Sequence, residues 1–227
     1  MKAIAAGILA LSWMPAAGSP SQDTVPLPAP DRERAELPKP GPDGWIPLFN
    51  GKDLKGWYGD PKVWRVKDGY ISGMTEKQGY NTFLIFNHPF SDFILEAKFL
   101  LVGKKGNSGI QIRSKVHDPA KWIVGGYQPD IGEGWFGSLY EERGRGVLVK
   151  APKEVGQTVK GDDWNQIVIT ARGPQIKMEL NGAVTFDYEE KDEKKGAREG
   201  IIALQYHVPG GFEIRFKDLR IKILTGR

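Results

Sequence analysis

The sequence predicts an all-β protein, a two-sheet antiparallel sandwich of the jelly-roll type, and three features carry that expectation. From Trp45 onward apolar residues recur with a period of two, tight-turn dipeptides separate the runs, and no stretch of ten or more residues holds a 3.6-residue apolar repeat. The clearest strand spans 92–101, where Phe93, Leu95, Ala97 and Phe99 share one face and Asp92, Glu96 and Lys98 the other. Residues 164–171 repeat the pattern with Ile167, Ile169 and Ala171 inward, and 175–180 with Ile176, Met178 and Leu180. Asn181-Gly182 then supplies a two-residue hairpin turn before Val184, Phe186 and Tyr188, and Lys67-Asp68-Gly69 makes a similar turn between 63–66 and 70–71. In the last strand Phe212, Ile214 and Phe216 give way to Leu219, Ile221 and Ile223. That parity break predicts a β-bulge at Lys217-Asp218, which keeps both sets facing the core.

Ahead of this body lie two segments of different character. Residues 1–18 read as a secretory signal: Lys2, then an uncharged apolar run from Ala3 to Met14, then Pro15, Ala16, Ala17 and Gly18 as a cleavage region. The run is shorter than the roughly 20 residues of a membrane-spanning helix. A periplasmic or extracellular bacterial protein is the expectation, without a transmembrane anchor after cleavage. Residues 19–43 contain Pro20, Pro26, Pro28, Pro30, Pro38, Pro40 and Pro42 and no apolar period, the composition of an extended linker. The domain is expected over 44–225.

Composition removes several functions. With no cysteine there is no disulfide framework, thiolate nucleophile, thiolate metal site or lipoprotein anchor. A formal charge of +4, spread among interspersed acids and bases, offers no basic stripe for nucleic acid. Residues 189–195 (EEKDEKK) read as a solvated loop. No GxSxG elbow, HExxH or phosphate-binding loop is present, and His88, His117 and His207 lack ligand spacing. Two carboxylates spaced for a retaining glycosidase are missing as well.

Polar residues inside strand-like segments are the remaining signal. In 107–113 (NSGIQIR) Ile110 and Ile112 share one face, and Gln111 and Arg113 the other. Such a face is either plain sheet surface or a groove in which Arg113 clamps sugar or oxyanion oxygens. In 125–132 Gln128 and Asp130 point to one side, and Pro129 implies an edge or an irregularity. Trp135, Tyr140, Glu141 and Glu142 follow in an apparent Gly-rich loop through Gly146, where aromatic faces beside carboxylates and arginine suit sugar recognition. In 201–207 Gln205 and His207 lie opposite Ile202, Leu204 and Tyr206.

Taken in order, these segments resemble one family. Residues 48–57 (LFNGKDLKGW), 64–69 (WRVKDG), 107–113, Trp164-Asn165, 200–207 (GIIALQYH) and 214–221 (IRFKDLRI) resemble the motifs of the DUF1080 family, the 3-keto-disaccharide hydrolase domain. The resemblance covers nearly all of 44–224. It implies a concanavalin-A-like jelly roll acting on glycosides already oxidised to a ketone at C3. A base would then remove the C2 proton, the C1 oxygen would leave, and water would add to the enone. His207 is the expected base, Arg113 and Gln205 the groups holding enolate or sugar oxygens, with Gln128, Tyr140 and Trp135 completing the substrate contacts. Asp130 or Glu142 would act as the acid or orient a divalent cation, although the resemblance fixes no cofactor. Gln128-Pro129-Asp130 departs from the family's acid-x-Gln order, exchanging acid and amide. The rival expectations are a non-catalytic carbohydrate-binding sandwich and an adhesion module.

Overall fold

The structure, a computed structural model, describes residues 33–225, so the signal assigned to 1–18 lies outside the described residues. Fifteen strands follow one another among them. The first eight are β1 (Ile46–Pro47), β2 (Trp57–Tyr58), β3 (Trp64–Lys67), β4 (Tyr70–Thr75), β5 (Thr82–Phe90), β6 (Phe93–Leu101), β7 (Asn107–Asp118) and β8 (Ile123–Gly132). Then come β9 (Leu139–Glu142), β10 (Gly146–Val149), β11 (Asn165–Arg172), β12 (Gln175–Leu180), β13 (Ala183–Glu189), β14 (Gly200–Tyr206) and β15 (Phe212–Ile223). A 3-10 turn at Val102–Lys104 and one short helix, Val155–Thr158, interrupt them.

Two antiparallel sheets result. One runs β13-β12-β11-β6-β15-β4-β3 with β1 also on β15, and the other β10-β9-β8-β7-β14-β5-β2. Each strand turns alternate residues into the space between them. Phe93, Leu95, Ala97 and Phe99 of β6 meet Ile167, Ile169 and Ala171 of β11 and Ile214, Phe216, Leu219 and Ile221 of β15 in one core. The second sheet contributes Leu84, Ile110, Ile112, Tyr127, Ile131, Leu139, Ile202, Leu204 and Tyr206. Asp68 and Gly69, and again Asn181 and Gly182, take the paired positive φ angles of a type I′ hairpin turn. The bulge expected in β15 is present: its pairing with β6 shifts between Lys217 and Arg220, and Asp218 has φ +52°.

The structure differs from the sequence expectation at several places. A register shift in the β12–β13 pairing reverses the parity of β13, so Phe186 is buried while Val184 is exposed. The Gly-rich stretch through Gly146 is not a loop but the β9–β10 hairpin, with Arg143 at φ +57° in its turn. Pro129 marks no sheet edge, because β8 is paired on both sides and Pro129 faces Leu139 where β9 begins. Glu190, read as part of a solvated charge run, is buried. It accepts from Tyr127 Oη at 2.7 Å and Tyr188 Oη at 3.1 Å and pairs with Arg145 Nη2 at 2.5 Å. Arg145 also binds Glu141, so one guanidinium ties the β9–β10 turn to the far end of β13. Above all others its hydrogen bonds hold the Glu190 carboxyl down at about 2. The stabilisation is complete above the unfolded carboxylate's pKa and is lost as pH falls towards 2.

The proline-rich segment is also more attached than its composition suggests. Ala35 N donates to Asn87 O at 2.8 Å, Asn87 Nδ2 to Glu33 O at 2.8 Å, and Ala35 and Leu37 pack against the core. The chain thus extends the edge of β5 beyond the two-residue β2.

Two outcomes follow for stability. Phe99→Ala empties a fully buried site and lowers unfolding free energy by about 3–5 kcal/mol, read from urea midpoints; an unchanged midpoint contradicts the packing. Starting the chain at Gly44 removes Ala35 and Leu37 and costs about 1–2 kcal/mol, so a melt equal to that of a chain starting at Gln22 would show the segment to be idle.

Candidate active site

The outer face of the seven-stranded sheet carries buried polar side chains, an arrangement that a sheet tolerates only when they satisfy one another. Gln111 of β7, Gln128 and Asp130 of β8 and Gln205 of β14 alternate with the core residues of their strands and are each at most 4% exposed. Gln128 is the hub. Its Oε1 accepts from Gln111 Nε2 at 2.8 Å, and its Nε2 donates to Asp130 Oδ1 at 2.8 Å and Gln205 Oε1 at 3.3 Å. Ser114 Oγ donates to Gln111 Oε1 at 2.5 Å and closes that end. At the other end Gln205 Nε2 and Asn81 Nδ2 each approach a Glu142 oxygen at 3.4 Å.

Local backbone features make room for this cluster. A Cβ on Gly109 would lie 2.5 Å from Gln128 Cγ, so the glycine of the Asn107-Ser108-Gly109 segment vacates the space that the Gln128 side chain fills. Ser108 Oγ donates to Gln205 O at 2.7 Å and locks β14 beside β7. The spacing of two between Gln128 and Asp130 keeps both on the same face, so exchanging acid and amide along β8 leaves the pair intact.

Asp130 has the unusual electrostatics. Burial, reinforced by the Glu142 charge, pushes its carboxyl up to about 7 against the opposing pull of the Gln128 hydrogen bond and of Lys150. A carboxyl half-protonated near neutrality can give or take a proton, the property expected of an acid–base group. Lys150 Nζ sits 3.3 Å from the Trp135 ring centroid and donates to Gly134 O at 2.5 Å. Trp135 meets Tyr140 edge-on at 6.4 Å, and Tyr140 stands opposite Gln128. One face of Trp135 is therefore taken by an ammonium, while Tyr140 flanks the amide cluster directly.

His207 lies one residue beyond β14 and is half-buried. Its Nδ1 is 2.5 Å from Val208 O, and a carbonyl only accepts, so Nδ1 carries a proton and in the neutral ring the lone pair falls to Nε2. Val208 N donates to Asn81 Oδ1 at 3.2 Å, so Asn81 joins the His207 loop to Glu142.

Arg113 does not belong to this face. A bulge in β7 displaces its register against both β8 and β14, and Arg113 takes φ +47°. The extra residue turns its side chain away from Gln111, and it is 1% exposed. Its guanidinium donates to Ser91 O at 2.7 Å, Gly173 O at 2.7 Å and Asp92 Oδ1 at 2.8 Å. It fastens the β5–β6 turn to the β11–β12 turn. A divalent cation also gains no support, since no group of three His, Cys, Asp or Glu residues among the described ones could hold a metal. No helix among them is long and apolar enough to cross a membrane.

Of the residues the sequence singles out, the structure brings Gln128, Asp130, Tyr140, Glu142 and Gln205 together with Gln111, which the sequence places on the polar face of 107–113 without giving it a role. Ser114, Asn81 and Lys150 join them unannounced, and nothing in the sequence singles out Asn81.

Residues 44–222 match the family described as the 3-keto-alpha-glucoside-1,2-lyase-like domain. The chain belongs to this family. A curated relative from Bacteroides thetaiotaomicron, named 3-keto-disaccharide hydrolase, is 42% identical over a segment covering 37% of this chain and 32% of its own length. The match therefore spans about a third of that relative. Among solved structures, a candidate glycosyl hydrolase of Parabacteroides distasonis superposes with TM-score 0.60 at 21% identity over 81% of this chain and 95% of that one. The carbohydrate-binding module CBM66 of Bacillus subtilis superposes with TM-score 0.55 at 16% identity over 73% and 94%. A Bacillus subtilis protein of galectin-like fold gives 0.61 at 12% identity over 81% and 96%. At these identities the superpositions establish the shared jelly-roll fold.

Asp130 yields a stability test. Its carboxyl is neutral in folded and unfolded chains well below the unfolded value of 3.8, and its ionised form is penalised only in the fold as pH rises from there to about 7. Asp130→Asn should therefore raise unfolding free energy by about 1–3 kcal/mol at pH 8 and by much less at pH 4. Equal effects at both pH values would show that the carboxyl titrates normally.

Proposed function

We propose that the protein is an exported enzyme that cleaves 3-keto-glycosides by elimination and hydration at the outer face of the seven-stranded sheet. The observation that carries this reading is Asp130, a carboxyl poised at about 7 within a wall of side-chain amides, in a chain of this family.

The chemistry distributes over the residues as follows. His207 Nε2 takes the C2 proton, made acidic by the C3 ketone, and the electron pair moves onto O3 as an enolate. Gln111 and Gln205 each spend one amide N–H within the cluster, and their second N–H groups supply donors for that oxygen away from water, where such bonds are strongest. The enolate collapses, the C1–O bond breaks, and protonated Asp130 hands its proton to the departing oxygen. Water then adds at C1 of the enone, its proton passing to Asp130, while C2 recovers a proton from His207. The sum is hydrolysis, and both groups return to their starting states. Tyr140 supplies a ring face for the sugar C–H groups, with Glu142 holding Gln205 in place.

Likeness to a carbohydrate-binding module supports one second reading, a site that holds sugar without chemistry. Release of aglycone from a 3-keto-glucoside separates the two. The enzyme reading expects turnover by the wild type and a loss of about a hundredfold or more in His207→Gln and in Asp130→Asn, with folded protein retained. Binding of plain oligosaccharides with no turnover of the keto sugar would replace it with the binding module. Normal turnover in His207→Gln would move the base to Asp130 or Glu142.

A further inference from the structure

The β7–β8 hairpin does not stay in its sheet. Gln111 and Ser114 of β7 stand opposite Ala203 and Ile201 of β14, so β7 advances towards the start of β14. Eight residues after Ser114, however, Trp122 O accepts from Phe83 N at 3.1 Å, and Lys121 O accepts from Thr82 Oγ1 at 3.2 Å. Thr82 and Phe83 pair with Tyr206 and Gln205, at the opposite end of β14. The tip has therefore doubled back along β14 and across it to β5. It lies over the outer face, because Val116, Trp122 and Val124 pack on Tyr58, Phe83, Ile85 and Ala203, which alternate with the core residues.

The backbone bends where it must for such a fold. β7 carries its bulge at Arg113, and β8 carries Gly126 at φ +144°, where a Cβ would lie 2.3 Å from Ser114 Oγ. Trp122 holds φ +50°, a conformation that is costly for a bulky residue and persists only under outside constraint. The tip itself is stiff, with Asp118 Oδ1 accepting from Ala120 N at 3.0 Å and Lys121 N at 3.2 Å. Two further facts matter. Gln111 and Gln205 are fully covered, and the described contacts pinning the tip to β5 and its approach are few: one backbone bond, one hydroxyl bond, Lys121 Nζ 5.8 Å over the Tyr80 ring and a small apolar cluster.

We infer that residues 115–125 form a lid over the amide–carboxylate cluster, pivoting at Arg113–Ser114 and Gly125–Gly126 and lifting from Thr82 and Phe83 to admit the sugar. Arg113, clamped by Ser91, Asp92 and Gly173, is the fixed side of that pivot. The inference rests on the cluster being the substrate site, although the motion itself does not depend on what the substrate is. A stiff tip held by few bonds, on a glycine pivot, opens at a small fraction of the global unfolding free energy.

Native-state hydrogen exchange of the full chain tests this. The Phe83 amide should exchange through local opening, at least tenfold faster than the Leu204 amide in the middle of the same sheet. Trp122→Ala, outside the catalytic groups, should speed Phe83 a further tenfold or more and leave Leu204 unchanged. If Phe83 and Leu204 exchange together in both proteins, the tip belongs to the rigid sheet and the lid is overturned. Local exchange in a protein that fails to turn over a 3-keto-glucoside would keep the lid and remove the proposed substrate, so the two failures are distinguishable.

Discussion

The Gln128 amide is the interaction on which the site depends. One side chain accepts from Gln111 and donates to both Asp130 and Gln205, joining three strands through bonds of 2.8, 2.8 and 3.3 Å. A sheet face away from water cannot carry isolated polar groups, since each unpaired one costs about 1–3 kcal/mol. These groups persist because they satisfy one another, and Gly109 leaves the volume in which they do so. Asp130 gains one amide donor at full strength and little water, too little to hold its charge at neutral pH. Its poised carboxyl is thus a consequence of burial that the single Gln128 amide bond only partly offsets.

Strand parity decides which residues reach that face. Where the alternation runs unbroken, in β14 and in β8 from Tyr127 to Ile131, polar positions land together opposite the core. Where one residue is inserted, a side chain changes task. The bulge in β7 converts Arg113 from a candidate ligand-binding group into a clamp between two turns, and it redirects the rest of the hairpin over the sheet. The same device in β15 has no such effect, because an apolar residue stands on each side to restore the pattern.

Those two bulges show what the sequence discloses and what it hides. At Lys217-Asp218 the break is legible because Phe216 and Leu219 are three apart, and only an extra residue brings both inward. At Arg113 the apolar record stops with Ile112, so alternation continues on paper and places Arg113 beside Gln111. The strands, the type I′ turns and the pairing of Gln128 with Asp130 were legible for the opposite reason, being encoded in near-neighbour spacing. Contacts made across the fold were not. Asn81 reaches Glu142 from another strand's approach, Glu190 is buried only because Arg145 and Tyr127 arrive from the other sheet, and Ala35 and Leu37 gain partners only when β5 offers its edge.

The amide network and the electrostatics of Asp130 lie on one face of one sheet. Side-chain amide resonances of glutamine report on that face directly. The measurement is an NMR titration of the labelled protein with a 3-keto C-glycoside, which offers the keto sugar but no C1 oxygen to expel. The account predicts saturable shifts of the Gln111, Gln128 and Gln205 amides, with the Phe83 and Trp122 backbone signals moving alongside. Saturable shifts confined to residues elsewhere, with these three glutamines unmoved, would contradict it.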